Sequence, residues 1–142
     1  MKNVFIDTNI LIDFLTNRKP FDLKAGKIFS LSEQKILNCG VSSLSIANTH
    51  YHLLKLLKTE AANELLRKFK ILLVVHPLNE KLIDLALNTS DFTDFEDALQ
   101  YFTALEFGYE AILTRNQKDF KNSTIPILTP DQFLEIYKKS EP

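Results

Sequence analysis

Val4-Phe5-Ile6-Asp7-Thr8-Asn9-Ile10-Leu11 decides the fold. Three consecutive apolar residues predict a short strand covered on both faces, because a half-exposed strand would alternate with polar residues. Directly afterwards Ile10, Leu11, Phe14 and Leu15 recur at helical spacing, so the chain turns from strand to helix at Thr8-Asn9. Asp7 is thereby placed at the carboxyl end of a central strand, where open α/β sheets keep their ligand crevice. Taken alone, the triplet has a purely structural reading: Thr8 or Asn9 caps the helix and Asp7 faces its positive end.

The rest of the chain repeats the strand–helix alternation. Leu23 to Glu33 is helical, Ile36 to Ser42 is a weaker strand, and a long helix starts at Ser45 and runs through Leu57. Thr59 to Phe69 follows as a helix, and Ile71 to Val75 reads as the clearest buried strand. A short helix around Leu82 to Ala86 precedes the helix from Asp94 to Phe107, which Gly108 terminates. Ala111 to Thr114 is a fourth strand and Ile125 to Leu128 a fifth, held to the sheet edge by Pro126. Asp131 to Lys139 forms a last helix, and Ser140-Glu141-Pro142 are expected to fray. Such alternation predicts an α/β chain, a parallel sheet with helices on both faces, in one domain over residues 1–142.

Two more acids fall at the same end of that sheet. In Thr93-Asp94-Phe95-Glu96-Asp97, Thr93 and Glu96 fit a capping box, which leaves Asp94 and Asp97 unassigned. Ala98, Phe102 and Leu105 are expected to face the sheet, which sets Asp97 at the margin of the core. Asp119 follows the fourth strand in Thr114-Arg115-Asn116-Gln117-Lys118-Asp119-Phe120. Clustered carboxylates repel and hold protons unless a cation sits among them. Hard oxygen ligands suit Mg²⁺ or Mn²⁺, ions that activate water and offset charge on a phosphodiester.

Composition narrows the alternatives. The chain is 45% hydrophobic and 25% charged, without an apolar run long enough to span a bilayer. Met1-Lys2-Asn3 leads straight into a strand, so neither a signal peptide nor membrane attachment is expected, and the location expected is cytoplasmic. Cys39, the sole cysteine, rules out an internal disulfide and a cysteine-rich zinc site. His50, His52 and His76 are too scattered for a transition-metal site, though one of them is a candidate for touching substrate. A net charge of −1 gives no bulk attraction to nucleic acid, so local cations must serve. Arg18 and Arg115 stand out because they follow the elements that carry the acids.

With these residues laid out, the chain resembles the PIN-domain family of metal-dependent ribonucleases, most closely the toxins of VapBC-type toxin–antitoxin pairs. The likeness runs from Asp7-Thr8-Asn9 through Phe95-Glu96-Asp97-Ala98 to Thr114-Arg115-Asn116 and Asp119-Phe120. It implies a three-layer α/β/α sandwich with a PIN-like parallel sheet of about five strands in the order 3-2-1-4-5. It further implies Asp7, Asp97 and Asp119 as catalytic metal ligands for Mg²⁺ or Mn²⁺, with Thr8, Asn9, Arg18, Thr114, Arg115 and Asn116 supporting them or binding substrate. RNA as substrate, an antitoxin protein as partner and a homodimer are implied as well; Leu53 to Leu57 and the 62–69 stretch are the apolar surface expected to pair.

The family usually carries a Glu near the start of the helix after the second strand, and Asn48 stands there. Asn48 can still offer an oxygen, but no charge and no base; Asp94 is the candidate for restoring the charge. Alternatively Asn48 merely answers Ser45 as helix cap. The substitution keeps a second reading open, a weak or inactive PIN-like module that binds RNA or a protein. A phosphotransfer enzyme on a similar sheet fits less well, since Asn9 occupies the place where a second Asp is usual in haloacid-dehalogenase-like phosphatases.

Overall fold

The computed structural model describes residues 1–140. Its elements are β1 (Asn3–Ile6), α1 (Thr8–Leu15), α2 (Asp22–Glu33), β2 (Asn38–Ser42), α3 (Ser43–Leu53) and α4 (Thr59–Phe69). They continue as β3 (Leu73–His76), α5 (Glu80–Asn88), α6 (Phe95–Glu106), β4 (Ala111–Leu113), β5 (Ile127–Leu128) and α7 (Pro130–Ser140). Every strand pairing is parallel and the order is β3-β2-β1-β4-β5. β1 is therefore central, with Val4 opposite both Cys39 and Ala111. Ser140, expected to fray, is the last residue of α7, and the same expectation for Glu141 and Pro142 lies outside the described residues.

The period-2 alternation of β1 divides the core. Val4 and Ile6 join Ile10, Leu11, Ile28, Phe29 and Phe133, which come from α1, α2 and α7. Phe5 points the other way and packs with Tyr101, Ala104, Tyr109, Ile112 and Phe120. α5 lies outside α6, with Leu82 and Ala86 against Ala98 and Leu99. Gly40 permits the approach of Tyr109: a Cβ there would stand 2.0 Å from the phenol oxygen. Tyr109 in turn bonds His76 Nε2 at 2.5 Å, and His76 stacks on Phe107. Burial lowers the His76 pKa, which favours the neutral ring.

Several local expectations are corrected. Ile71-Leu72 belongs to a 3₁₀ turn, and β3 is an edge strand with Val74 43% and Val75 37% exposed, not a buried one. Neighbours in sequence point to opposite faces of a strand, so neither face of this edge is fully covered. The helix beginning near Ser45 starts earlier, because Ser42 is its cap and accepts from Ser45 N at 3.1 Å. It also ends at Leu53 rather than reaching Leu57. Ala62, Leu66 and Phe69 turn into the core and are not spare surface, whereas Leu54, Leu56 and Leu57 are exposed.

α6 is rotated from the expected phase. Phe102 is half-buried and Leu105 exposed, while Gln100, Tyr101 and Ala104 point inward. The reason is that α6 packs on two partners, the sheet on one side and α5 on the other, so its buried arc is broad. Its cap is Asp94, whose Oδ1 accepts from Asp97 N at 3.0 Å; the Thr93–Glu96 box does not form.

Candidate functional site

At the carboxyl end of β1 a cleft of about 380 Å³ opens between α1, α3 and α6. Asp7, Thr8, Asn9, Asn48, Glu96, Asp97 and Gln100 supply its polar lining, and Ile12, Leu44, Tyr51 and His52 its ring and apolar surfaces. Asp7 sits at the cap position of α1, a role neither Thr8 nor Asn9 takes. Its Oδ1 accepts from Thr8 N at 2.9 Å and from Gln100 Nε2 at 3.1 Å. Its Oδ2 accepts from Thr114 Oγ1 at 2.8 Å and, more weakly, from Asn9 Nδ2 at 3.4 Å. Four donors thus hold one carboxylate in a fixed orientation.

Gln100 is the residue that sequence reasoning missed. Its amide is buried and reaches Asp7, Ser45 Oγ at 2.9 Å and Thr8 Oγ1 at 3.4 Å, while Oε1 accepts from Ser42 Oγ at 2.6 Å. Thr8 Oγ1 and Ser45 Oγ are themselves 2.7 Å apart. This network joins α1, α3 and α6 beneath the cleft. A polar residue on the buried side of α6, three positions after Asp97, was the available signal.

The expected site residues separate into two groups. Asp7, Thr8, Asn9, Asn48 and Asp97 line the cleft, together with Glu96, the expected capping partner of Thr93. Thr114 lies beneath, bonded to Asp7, and its Oγ1 accepts from Asn116 N at 3.0 Å. Asp119 and Asp94 are exposed and do not line the cleft, and Asp94 is committed to the α6 cap. Arg115 turns away: it grips the buried Asp13 through Nε at 2.5 Å and Nη2 at 3.1 Å, and lies over Phe21. Arg18 Nη1 stands 3.8 Å from the same Asp13. Neither arginine lines the cleft.

The electrostatics are those of uncompensated negative charge. Burial raises the Asp7 pKa; the bonds from Gln100, Thr114 and Thr8 oppose the rise, and the charge of Asp119 adds to it. Asp97 is pushed up to about 7 by burial first, then by the charges of Asp94, Asp7, Asp119 and Glu96. Among the described residues no ion pair involves any of these five acids. A set of oxygen donors without a cationic side chain matches a hard divalent ion. No three acidic, histidine or cysteine side chains among the described residues form a ready-made cage, however. The arrangement suits an ion held by one or two carboxylates that keeps several waters, as Mg²⁺ does.

A central parallel strand ending in a buried, hydrogen-bonded Asp beside an acidic cleft is the arrangement of a known class. The chain belongs to the PIN domain family, whose model matches residues 3–118. It is 30% identical to Ribonuclease VapC1 of Aquifex aeolicus over 141 residues, 94% of each chain. Among solved structures it is similar to VapBC2 from Rickettsia felis bound to a DNA fragment from their promoter. That likeness has a TM-score of 0.68 and 17% identity, over 89% of this chain and 98% of that one. It also resembles a toxin–antitoxin complex from Klebsiella pneumoniae, with a TM-score of 0.66 and 23% identity over 89% and 97% of the two chains. At those identities the structural likeness speaks for the fold.

Proposed function

We propose that the chain is a metal-dependent endoribonuclease acting at the Asp7–Asp97 cleft, and the toxin of a toxin–antitoxin pair. The observation that carries the reading is the cleft itself: Asp7, Glu96 and Asp97 line it with no cationic side chain among them, and the Asp97 pKa is raised to about 7. Asp7 and Asp97 would hold Mg²⁺ or Mn²⁺, with Glu96 beside them, Asn48 offering a neutral oxygen and Asp119 adding charge from outside. A bound divalent ion would activate water and offset the charge building on the phosphodiester. Gln100 and Thr114 keep Asp7 in one orientation, so its oxygens need no reorganisation. The similarity to Ribonuclease VapC1 supports RNA as substrate.

Purified protein incubated with mixed RNA should cleave it in Mn²⁺ or Mg²⁺, stop in EDTA, and lose activity by orders of magnitude as Asp97→Asn with its fold intact. Cleavage at the normal rate by that variant would remove Asp97 from the site. Asn48 favours a second reading, a module that binds RNA or a protein without cutting. RNA binding in the absence of cleavage under every metal would support it.

Partners follow from the same reading. An antitoxin protein is supported by the fold neighbour from Klebsiella pneumoniae, which is described as a toxin–antitoxin complex. A homodimer is supported by apolar side chains left exposed, Leu54, Leu56 and Leu57 after α3 and Ile71, Val74 and Val75 at the β3 edge. Sedimentation of the purified chain at tens of micromolar tests it, and a strict monomer counts against it.

A further inference from the structure

We propose that Tyr51, with His52 beside it, forms a nucleobase-stacking subsite on the α3 wall of the cleft. Its ligand is one unpaired base of single-stranded RNA, placed next to the phosphate at the acids; the proposal rests on the ribonuclease reading of that cleft. The elements lining the cleft differ in chemistry. Asp7 and, from α6, Glu96 and Asp97 supply its acids, whereas Tyr51 and His52 line it from α3. Ser45, Thr49 and Leu53 face the interior from α3, so Tyr51 is not needed to fill the core.

Tyr51 is 64% exposed although it borders a concave site, so its ring is accessible from solvent. The His52 ring lies 5.9 Å away at 82°, so the pair makes a corner and not a stack. Lys55 Nζ lies over one face of the Tyr51 ring, 5.1 Å from its centroid, so a base stacks on the opposite face and the ammonium stays near enough to meet a flanking phosphate.

Charge explains why such a subsite is needed. With a net charge of −1 and an acidic cleft, the chain has no broad positive field to draw a polyanion in. Affinity must come from contacts indifferent to that field, and stacking of a base on an aromatic ring is one. Only an unstacked base presents its face, which selects single strands over duplex.

The test is binding of a fluorescently labelled single-stranded RNA heptamer, read by anisotropy in Ca²⁺, with a gel confirming that the strand stays intact. A heptamer of abasic ribose phosphates is the control. Tyr51→Phe should bind within about twofold of the parent, and Tyr51→Ala about 10-fold more weakly. The abasic strand should bind the parent no better than it binds Tyr51→Ala. Equal binding of the heptamer by parent and Tyr51→Ala, equal binding of both strands by the parent, or no binding at all would each overturn the subsite. So would loss of a dimer by Tyr51→Ala in sedimentation, with RNA affinity unchanged. Cleavage in Mn²⁺ reports separately on the nuclease reading. If the parent cuts, Tyr51→Ala should raise KM and keep kcat; if it never cuts yet binds through Tyr51, the nuclease reading fails and the subsite stands.

Discussion

Gln100 donates from Nε2 to Oδ1 of Asp7 at 3.1 Å, tying the second turn of α6 to the end of the central strand across 93 positions of sequence. The same amide nitrogen reaches Ser45 and Thr8, and Oε1 takes the Ser42 hydroxyl. An aliphatic side chain of similar size would take one bond from each of these buried partners, although Asp7 would keep Thr8, Thr114 and Asn9.

Gln100→Leu should therefore cost about 1–3 kcal/mol of stability, the penalty of unsatisfied buried polar groups. Activity or metal affinity should fall about 10- to 100-fold, as when the support of a metal ligand is removed. Urea unfolding and Mn²⁺ titration measure the two effects. Gln100→Leu with parental metal affinity and turnover would show that Asp7 needs no such support.

Asp97 makes the metal-free protein sensitive to pH. Its folded pKa of about 7 lies above the ordinary 3.8, so the folded chain holds the proton more tightly than the unfolded one. The resulting stability is complete below about 4 and is lost as pH rises through about 7. Thermal scans in EDTA should show Tm falling across that interval, and Asp97→Asn should flatten the fall. An arriving ion must displace the proton, so Mn²⁺ affinity should rise over the same range. Calorimetry in buffers of different ionisation enthalpy would detect the released proton; affinity independent of pH would exclude Asp97 as a ligand.

The neutral Asn48 removes one negative charge from a cleft that it shares with Asp97 and Glu96. We expect at most one firmly bound ion and better activity with Mn²⁺ than with Mg²⁺. Asn48→Glu should tighten metal binding and raise the rate in Mg²⁺. Glu96 lines the cleft and Asp94 caps a helix. Glu96→Gln should then weaken Mn²⁺ binding more than Asp94→Asn, whose amide oxygen can still cap. Equal affinities in all three variants would mean that none of these side chains contributes to the ion.

Arg115 and Asp13 test a structural ion pair. The Asp13 side chain is 1% exposed and is held by Arg115 in a two-pronged contact. Arg115→Met should destabilise the fold by about 3 kcal/mol, because a buried carboxylate loses its partner. Arg115→Lys should recover only part, since an ammonium cannot make the fork. The double change Asp13→Leu with Arg115→Met should restore most of the stability in urea unfolding. An unchanged midpoint for Arg115→Met alone would show that Arg18, 3.8 Å from Asp13, suffices.

The sequence by itself determined the alternation of strands and helices and hence a parallel sheet, while the order 3-2-1-4-5 followed from the resemblance to the PIN-domain family. Short apolar runs alternating with helical periods leave few parallel arrangements, and the acid directly after Val4-Phe5-Ile6 had to stand at a carboxyl-end crevice once β1 was central. Local patterns carry that information because strand and helix periods are properties of neighbouring residues. Which partner covers each face is not local, and the tertiary structure alone decided it. An apolar run such as Leu73-Val74-Val75 looks buried, but its place at the sheet edge leaves it partly bare. The phase of α6 depended on both α5 and the sheet, and that phase set Gln100 under Asp7. Arg115 follows an acid-bearing strand in sequence, yet a buried carboxylate on α1 draws it away from the cleft. Burial of a charge demands a partner wherever the chain can supply one, and only three-dimensional packing shows which charges are buried.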